Sequence, residues 1–357
     1  MRLSDFDYAL PQELIAQHPP DNRGDSRLMV VPAQGAIGHE DFDILPRLLR
    51  PGDLLVVNDT RVLPARLRFQ WNEKEAEVLL LRQERADVWE ALVRPGKRVR
   101  PGTRLQLRPG LWADVVSRQP GGLFSLRFSP AGRLSALLPE IGEAPLPPYI
   151  KERLQDPERY QTVFARNPGS AAAPTAGLHF TDDMLARLTT AHVEVASLTL
   201  DIGLDTFQPL RVDNLEDHRM HSEFYAIPAT TRAAIDAARE REGRVVAVGT
   251  TSARALEAAA MRRDSGEGEA ADHGATDIFI RPGHTWREVD MLLTNFHLPR
   301  STLLVLVSAF AGRERVLEAY AEAIDRRYRF YSFGDAMLLE PAPGVRATDA
   351  GNATPGA

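Results

Sequence analysis

Six short stretches carry side chains able to do chemistry. "AAPTAGLHFT" (172–181) holds one histidine, His179, beside a phenylalanine and behind small residues that include Thr175 and Gly177. No charge interrupts it. His179 reads either as a core residue or as an imidazole in a segment thinned so that a ligand meets ring and backbone together. "EDHRMHSEFY" (216–225) sets His218 and His221 three apart among Glu216, Asp217 and Glu223. Such a pair can ligate zinc, but a polar cluster that orients substrate or exchanges protons suits the composition better. No metal is expected. "DIGLDTFQP" (201–209) places Asp201 and Asp205 around Gly203, either as a base with its positioning group or as solvated turn residues.

Three further stretches end probable strands. In "VVAVGTTSARALEAAA" (245–260) a strand runs into Thr250, Thr251 and Ser252 and then a helix, where backbone N–H groups attract anions and hydroxyls cap or bind. Neither G-x-G-x-x-G nor a Walker lysine is present, which argues against a dinucleotide or nucleoside-triphosphate cradle. "LTNFHLPRST" (293–302) ends its strand on Asn295 and His297, at the kind of edge where α/β sheets bind ligands. "VNDTRVLPARL" (57–67) offers Asn58, Asp59, Thr60 and Arg61 as an Asx-type turn or as the polar edge of a cleft.

The elements that must position these groups fall into two textures. From about Arg66 to Pro130, short runs such as "EVLLLR" and "LFSLRF" alternate with Pro-Gly and Gly-Gly turns, and no helix is convincing. That pattern predicts a small sheet or barrel. On either side, "DLLVVND" (53–59) and "RVVAVG" (244–249) read as buried strands, and "ATTRAAIDAARERE" (229–242) reads as a helix. "STLLVLVSAFAG" reads as a buried helix with Ser301 as its N-cap, followed by an amphipathic helix. Residues 262–275 are polar enough to be a loop. The expected fold class is an α/β main domain with a mixed sheet (1–65 and 149–345) and an inserted all-β barrel (66–148). A disordered tail is expected over 346–357.

Bulk properties narrow the class. The 357 residues suffice for two domains, and no apolar run approaches the roughly 18–20 residues of a membrane span. The chain has no cysteine, so disulfides, thiolate metal sites and a cysteine nucleophile are excluded. With no apolar leader after Met1, a cytoplasmic protein is expected. The net charge of −6 argues against a uniformly nucleic-acid-coated surface. Residues 91–109 nevertheless carry Arg94, Lys97, Arg98, Arg100, Arg104 and Arg108 with no acidic residue. This strip is either a solvated strand surface or a phosphate-binding patch.

Taken together and in order, the stretches resemble one family: the S-adenosylmethionine:tRNA ribosyltransferase-isomerases of the queuosine pathway. "DFDYALPQELIAQHP", "PGDLLVVNDTRVLPARL", "AAPTAGLHFT", "EDHRMHSEFY", "VVAVGTTSARALE", "LLTNFHLPRSTLLVLVSAFAG" and "YRFYSFGDAML" carry the resemblance from near residue 5 to near residue 338. It implies transfer and isomerisation of the ribosyl part of S-adenosylmethionine onto 7-aminomethyl-7-deazaguanine at the wobble position of tRNAs with a GUN-type anticodon. Epoxyqueuosine-tRNA forms, and adenine and methionine leave. S-Adenosylmethionine is then a consumed co-substrate, no other cofactor is expected, and the enzyme is expected to be a monomer.

The resemblance also implies site regions. The acid–base candidates are His179, Asp201, His221, Glu223 and His297. Asn58, Asp59, Arg61, Thr175, Gly177, Thr250, Thr251, Ser252 and Asn295 are the substrate-binding candidates. Arg94, Lys97, Arg98 and Arg100 are the tRNA-binding candidates. One departure stands out: the family pattern reads "LHVGxGTFQP", whereas this chain has Asp201 in place of the histidine and Asp205 in place of a glycine. An ordinary aspartate would be a poorer acid there at neutral pH. Competing readings are a paralogue with altered substrate and a non-catalytic RNA-binding protein. For the basic strip, replacing Lys97, Arg98 and Arg100 together with alanine should weaken tRNA binding. The log–log slope of affinity against salt should fall by about one for each phosphate no longer neutralised; an unchanged slope in a filter-binding titration would place the RNA elsewhere.

Overall fold

In the computed structural model, residues 1–119, 122–152, 154–203 and 212–347 are described. The chain divides into two compact units, one of residues 1–60, 148–167 and 174–357, the other of 61–147 and 168–173. Asp205 and the "TFQPL" stretch lie outside the described residues, as does the expected tail from 348 onward.

The first unit begins with β1 (Arg27–Val31), β2 (Gly38–Asp41), a one-turn helix α1 (Leu45–Leu48) and β3 (Leu54–Asn58). Every residue of β3 is buried, as a strand covered on both faces must be. After the short strand β4 (Thr60–Val62) the chain enters the second unit. There it forms β5 (Arg66–Trp71), β6 (Lys74–Arg85), β7 (Val88–Arg94), β8 (Arg104–Arg108), β9 (Leu111–Arg118) and β10 (Leu123–Ser129). Helix α2 (Arg133–Ile141) and β11 (Gly142–Glu143) complete that stretch.

These strands make a curled seven-stranded antiparallel sheet in the order β11-β5-β6-β7-β10-β9-β8. Alternate residues of β5 and β8 are buried, so one face of the curl packs its own core. Helix α2 lies beyond the Arg66–Pro130 stretch but within the insert expected to be all-β over 66–148, and it corrects that expectation. Its amphipathic run buries Leu134 and Leu138 despite Pro139, so a single apolar stripe outweighs the turn-like composition around it.

The chain leaves through β12 (Asn167–Ser170), a strand paired with β4, and returns to the first unit. Helix α3 (Asp182–Thr190) starts where the Thr181 hydroxyl accepts the Met184 N–H, 3.1 Å away. Then come β13 (Glu194–Leu200), β14 (Glu223–Ala226), α4 (Ala229–Glu240), β15 (Val245–Val248) and α5 (Gly249–Asp264). The last elements are β16 (His273–Thr276), β17 (Met291–Asn295), α6 (Thr302–Ala311), α7 (Arg313–Asp325) and β18 (Ala336–Leu339). Ser301 does cap α6, accepting the Leu304 N–H at 3.2 Å.

The expected polar loop over 262–275 is largely ordered structure. Helix α5 continues to Asp264, a 3-10 turn spans Gly268–Asp272, and β16 follows. Arg262 pairs with Glu267 and Arg263 with Asp272, so charges that looked like loop composition hold the turn to the helix. Arg346, at the start of the expected tail, is ion-paired with buried Asp290.

Nine strands among the described residues of the first unit form one mixed sheet, in the order β16-β14-β13-β3-β15-β17-β18-β1-β2. Strands β13, β3, β15 and β17 run parallel to one another, so their C-terminal ends share one edge. That edge receives Asn58, Leu200, Val248 and Asn295. Next to the sheet, Leu28, Phe42, Leu55, Phe164, Phe180, Met184 and Leu293 belong to a shared core.

At the other edge, Asp53 locks β3 to the start of β15. Its carboxylate accepts the backbone N–H groups of Arg50 and Arg244 (2.8 and 2.9 Å) and faces the Arg244 guanidinium, the shortest contact being 2.6 Å. Burial alone would raise the Asp53 carboxyl; the Arg244 side chain and the two backbone donors outweigh it and hold the group below the ordinary carboxylate range. Asp53→Ala would leave Arg244 without its partner and should cost about 3 kcal/mol in urea denaturation at pH 7. Because the folded-state value is depressed, this contribution is present above the unfolded value of about 4 and lost as the pH falls through the folded one. The gap between parent and variant should therefore narrow below about pH 4.

Candidate functional site

The structure sorts the sequence candidates of the first unit into three neighbourhoods. The first lies at the ends of β3 and β13. Asn58 is buried, and its side chain donates to the Leu200 carbonyl (3.0 Å) while accepting the N–H groups of Leu200 and Thr60, both at 3.1 Å. The bond from Thr60 is the Asx-type turn that the sequence suggested, and it makes the chain leave the sheet. Asp59, also buried, accepts from Thr199 Oγ1 (2.7 Å) and Asn167 Nδ2 (3.0 Å). Thr60 Oγ1 donates to Asp201 Oδ1 at 3.1 Å.

Asp201 and Glu223 form the heart of this neighbourhood, and their environments pull their acidities apart. Burial raises the Asp201 carboxyl, helped by the negative charges of Glu223 and Asp59 and opposed by the Thr60 hydrogen bond. Burial would raise Glu223 too, but the Arg254 charge, the His221 ring and the Gly203 N–H together hold it below its ordinary value. Glu223 Oε1 accepts from Gly203 N and contacts His221 Nε2, each at 3.2 Å, while Oε2 is ion-paired with Arg254. His221 remains partly open to solvent. His218 turns elsewhere: its Nε2 lies 3.3 Å from the Met220 sulfur and its ring packs edge-on against Phe279. The two histidines thus have different partners. Among the described residues, no group of three His, Cys, Asp or Glu is placed to hold a metal ion.

The second neighbourhood is built on "AAPTAGLHFT". Thr175 to His179 form a 3-10 turn. Thr175 Oγ1 donates to Asn295 Oδ1 (2.8 Å), which leaves the Asn295 amide nitrogen to donate to His179 Nε2 at 3.2 Å. The ring proton of His179 therefore sits on Nδ1 and is donated to Ser26 Oγ, 3.0 Å away. Burial lowers the imidazole to about 4, so it is neutral at physiological pH. His179 is both fully partnered and stacked near Phe42, with ring centres 5.1 Å apart.

Gly177 answers a packing need. A Cβ there would stand 2.7 Å from the Phe164 ring and 2.8 Å from the Thr162 methyl. That corrects the expectation that a ligand approaches the backbone at this glycine: the space above its Cα is filled by Phe164 and Thr162.

His297 makes a third, separate neighbourhood. Its Nε2 meets Thr294 Oγ1 at 2.8 Å, its N–H donates to the Tyr320 hydroxyl, and its carbonyl accepts from Tyr8. Burial lowers this imidazole to about 3.

The start of α5 is the remaining piece. Gly249 takes φ +85°, a left-handed conformation open to glycine at little cost. The preceding Val248 offers no side-chain cap, and the Thr-Thr-Ser cluster does not cap either. Thr250, Thr251 and Ser252 are buried, yet Thr251 Oγ1 and Ser252 Oγ meet no hydrogen-bond partner. Sequence reasoning missed Arg254, Gly203 and Ser26. Ser26 lies 153 residues from His179, and Arg254 is one arginine in an alanine-rich helix; only burial marks it out.

Arg61 belongs to the second unit, with the basic strip. Arg94, Lys97, Arg98 and Arg100 are all exposed, on the end of β7 and the turn after it. A cavity of about 590 Å³ in this unit is lined by Arg94 with Arg68, Lys74 and Arg108, alongside Glu75 and Glu77.

Comparison with known proteins gives this architecture its family. The model of the queuosine biosynthesis protein family matches residues 3–339. The chain belongs to that family. An S-adenosylmethionine:tRNA ribosyltransferase-isomerase of Symbiobacterium thermophilum is 53% identical over 343 residues, covering 95% of this chain and 100% of that protein. The protein of the same name from Geobacter metallireducens is 51% identical over 346 residues, with the same coverage. A crystal structure of S-adenosylmethionine tRNA ribosyltransferase from Thermotoga maritima matches with a TM-score of 0.54 and 39% identity, over 94% of this chain and 99% of that one.

Within this family member, Gly177→Ala forces a methyl group against a buried ring. It should lower stability by about 1–3 kcal/mol in chemical denaturation, and an unchanged midpoint would show that Phe164 moves aside freely.

Proposed function

We propose that the protein is an S-adenosylmethionine:tRNA ribosyltransferase-isomerase. It transfers and isomerises the ribosyl moiety of S-adenosylmethionine onto 7-aminomethyl-7-deazaguanine at the wobble position of tRNA. Adenine and methionine are released. The observation that carries this reading is the similarity, at about half identity over 95% of the chain, to proteins bearing that name. S-Adenosylmethionine is consumed as co-substrate and no separate cofactor takes part. The tRNA has a GUN-type anticodon, and the protein works as a monomer in the cytoplasm. No helix among the described residues is long and apolar enough to cross a membrane, which fits such a role. The catalytic domain is the α/β part (1–65 and 149–345), and the inserted barrel (66–148) presents Arg94, Lys97, Arg98 and Arg100 to the tRNA backbone.

The reaction needs a base at the 5′ carbon, which the sulfonium acidifies, and then an acid for the departing adenine. Asp201 serves as the proton carrier at the 5′ carbon. Burial brings its carboxyl closer to the working range, which offsets the loss of the histidine that the family pattern has at this position. Glu223 stays ionised and holds His221, the partly open imidazole placed to hand a proton to adenine. Asn58 and Asp59 shape the strand end that holds Asp201, and the buried, unpartnered hydroxyls of Thr251 and Ser252 are available to the substrate. His179, Thr175 and Asn295 form the wall beside them. His297, neutral and enclosed, supports that wall without moving a proton.

Purified protein mixed with S-adenosylmethionine and tRNA carrying the aminomethyl-deazaguanine should release adenine, followed by chromatography. Binding of that tRNA without adenine release would favour an RNA-binding protein and sink the enzyme reading. In the same assay Asp201→Asn, which keeps the shape but cannot accept a proton, should slow release about a hundredfold or more. An unchanged rate would remove Asp201 from proton transfer.

A further inference from the structure

Arg254 is 5% exposed and has only part of its bonding capacity met. Its Nη1 is paired with Glu223, while Nε and Nη2 reach no partner. Those two nitrogens form the edge of the guanidinium that grips a carboxylate with two parallel bonds. If Arg254 served only to neutralise Glu223, a lysine would supply the charge without burying two idle donors. Buried donors left unmade are costly, so their retention points to a group that completes them.

Two further observations locate that group. Thr251 lies three residues before Arg254 on α5, hence on the same helix face, and its buried hydroxyl is likewise unpartnered. Long side chains on a helix lean toward its N-terminus, which brings the Arg254 fork toward the first turn and the positive end of the helix dipole. Arg254 also lines a narrow crevice with Met220, Ile278, Phe279, Thr302 and Leu306. Apart from the arginine and one threonine, these lining residues are apolar. The crevice is about 10 Å³, room for little more than one water, so a short aliphatic chain that ends in a carboxylate would enter by parting these apolar walls.

We propose that Arg254 anchors the carboxylate of the amino-acid part of S-adenosylmethionine. Nε and Nη2 hold the two carboxylate oxygens, Thr251 adds a hydroxyl, and the aliphatic carbons lie along the crevice. Nη1 keeps Glu223 ionised meanwhile, which couples substrate binding to the group that holds His221. The assignment deepens the function proposed above and rests on it.

Titration calorimetry with S-adenosylmethionine and with decarboxylated S-adenosylmethionine, which lacks only the carboxylate, tests it. The unaltered protein should bind the carboxylated compound about 10- to 100-fold more tightly, the worth of a charge-assisted pair. Arg254→Gln should lose most of that discrimination. Arg254→Lys, which keeps a positive charge beside Glu223 and so protects the fold, should lose most of it as well. Equal binding of the two compounds by the unaltered protein would overturn the anchor. So would discrimination that persists in the folded Arg254→Lys protein. Failure of the unaltered protein to bind S-adenosylmethionine at all would instead bring down the proposed function itself, and the anchor with it.

Discussion

One buried amide organises the edge on which the site is built. Asn58 ends β3 by bonding both the carbonyl and the N–H of Leu200, so its side chain extends the ladder between β3 and β13 by one more step. It also takes the Thr60 N–H, and the main chain is thereby turned out of the sheet. Asp59 and Thr60 are then aimed at Thr199 and Asp201, at the end of the partner strand. An apolar residue at 58 would leave the Leu200 backbone groups buried and unpaired, which is costly in a low-dielectric interior. The position of Asp201 therefore depends on a bond between two residues 142 apart in the chain, Asn58 and Leu200.

The same edge separates two carboxylates chemically. Asp201 and Glu223 are both buried enough for desolvation to favour their neutral forms, yet only Glu223 has a cation, Arg254, beside it. The result is one carboxyl pushed up and one held down within a single neighbourhood. Pairs of this kind divide acid and base work between chemically identical groups. The histidines behave differently from what their number suggests. His179 and His297 are enclosed, neutral and hydrogen-bonded, and His221 alone of the three acid–base histidines keeps contact with solvent.

The turn into α5 shows why motif reading needs the packed chain. A strand followed by Thr-Thr-Ser looks like an ordinary helix cap, and a cap would have consumed the hydroxyls. Because Gly249 already takes helical bonding after a left-handed turn, Thr251 and Ser252 fall inside the first turn with their oxygens unengaged. The Gly177 stretch is the reverse case. Its small residues look like room for a ligand, but Phe164 and Thr162, brought in by the segment before it, fill that room.

Much of this fold is legible in the residues because its signals are local. The unbroken apolar run at β3, the Ser301 cap of α6 and the alanine-rich α4 need no partner to be recognised, since period and capping act over a few residues. The curled sheet announces itself through regular turns, although α2 within the same unit does not. The order of stretches along the chain also carries the family, and with it the candidate residues. What the linear chain leaves open is which candidates share a neighbourhood and in what protonation state. His179 meets Ser26 and Asn295, Asp201 meets Thr60, and Glu223 meets Arg254, all across long separations. Hydrogen-bond partners and burial set charge in a protein interior, and both exist only once distant segments have packed.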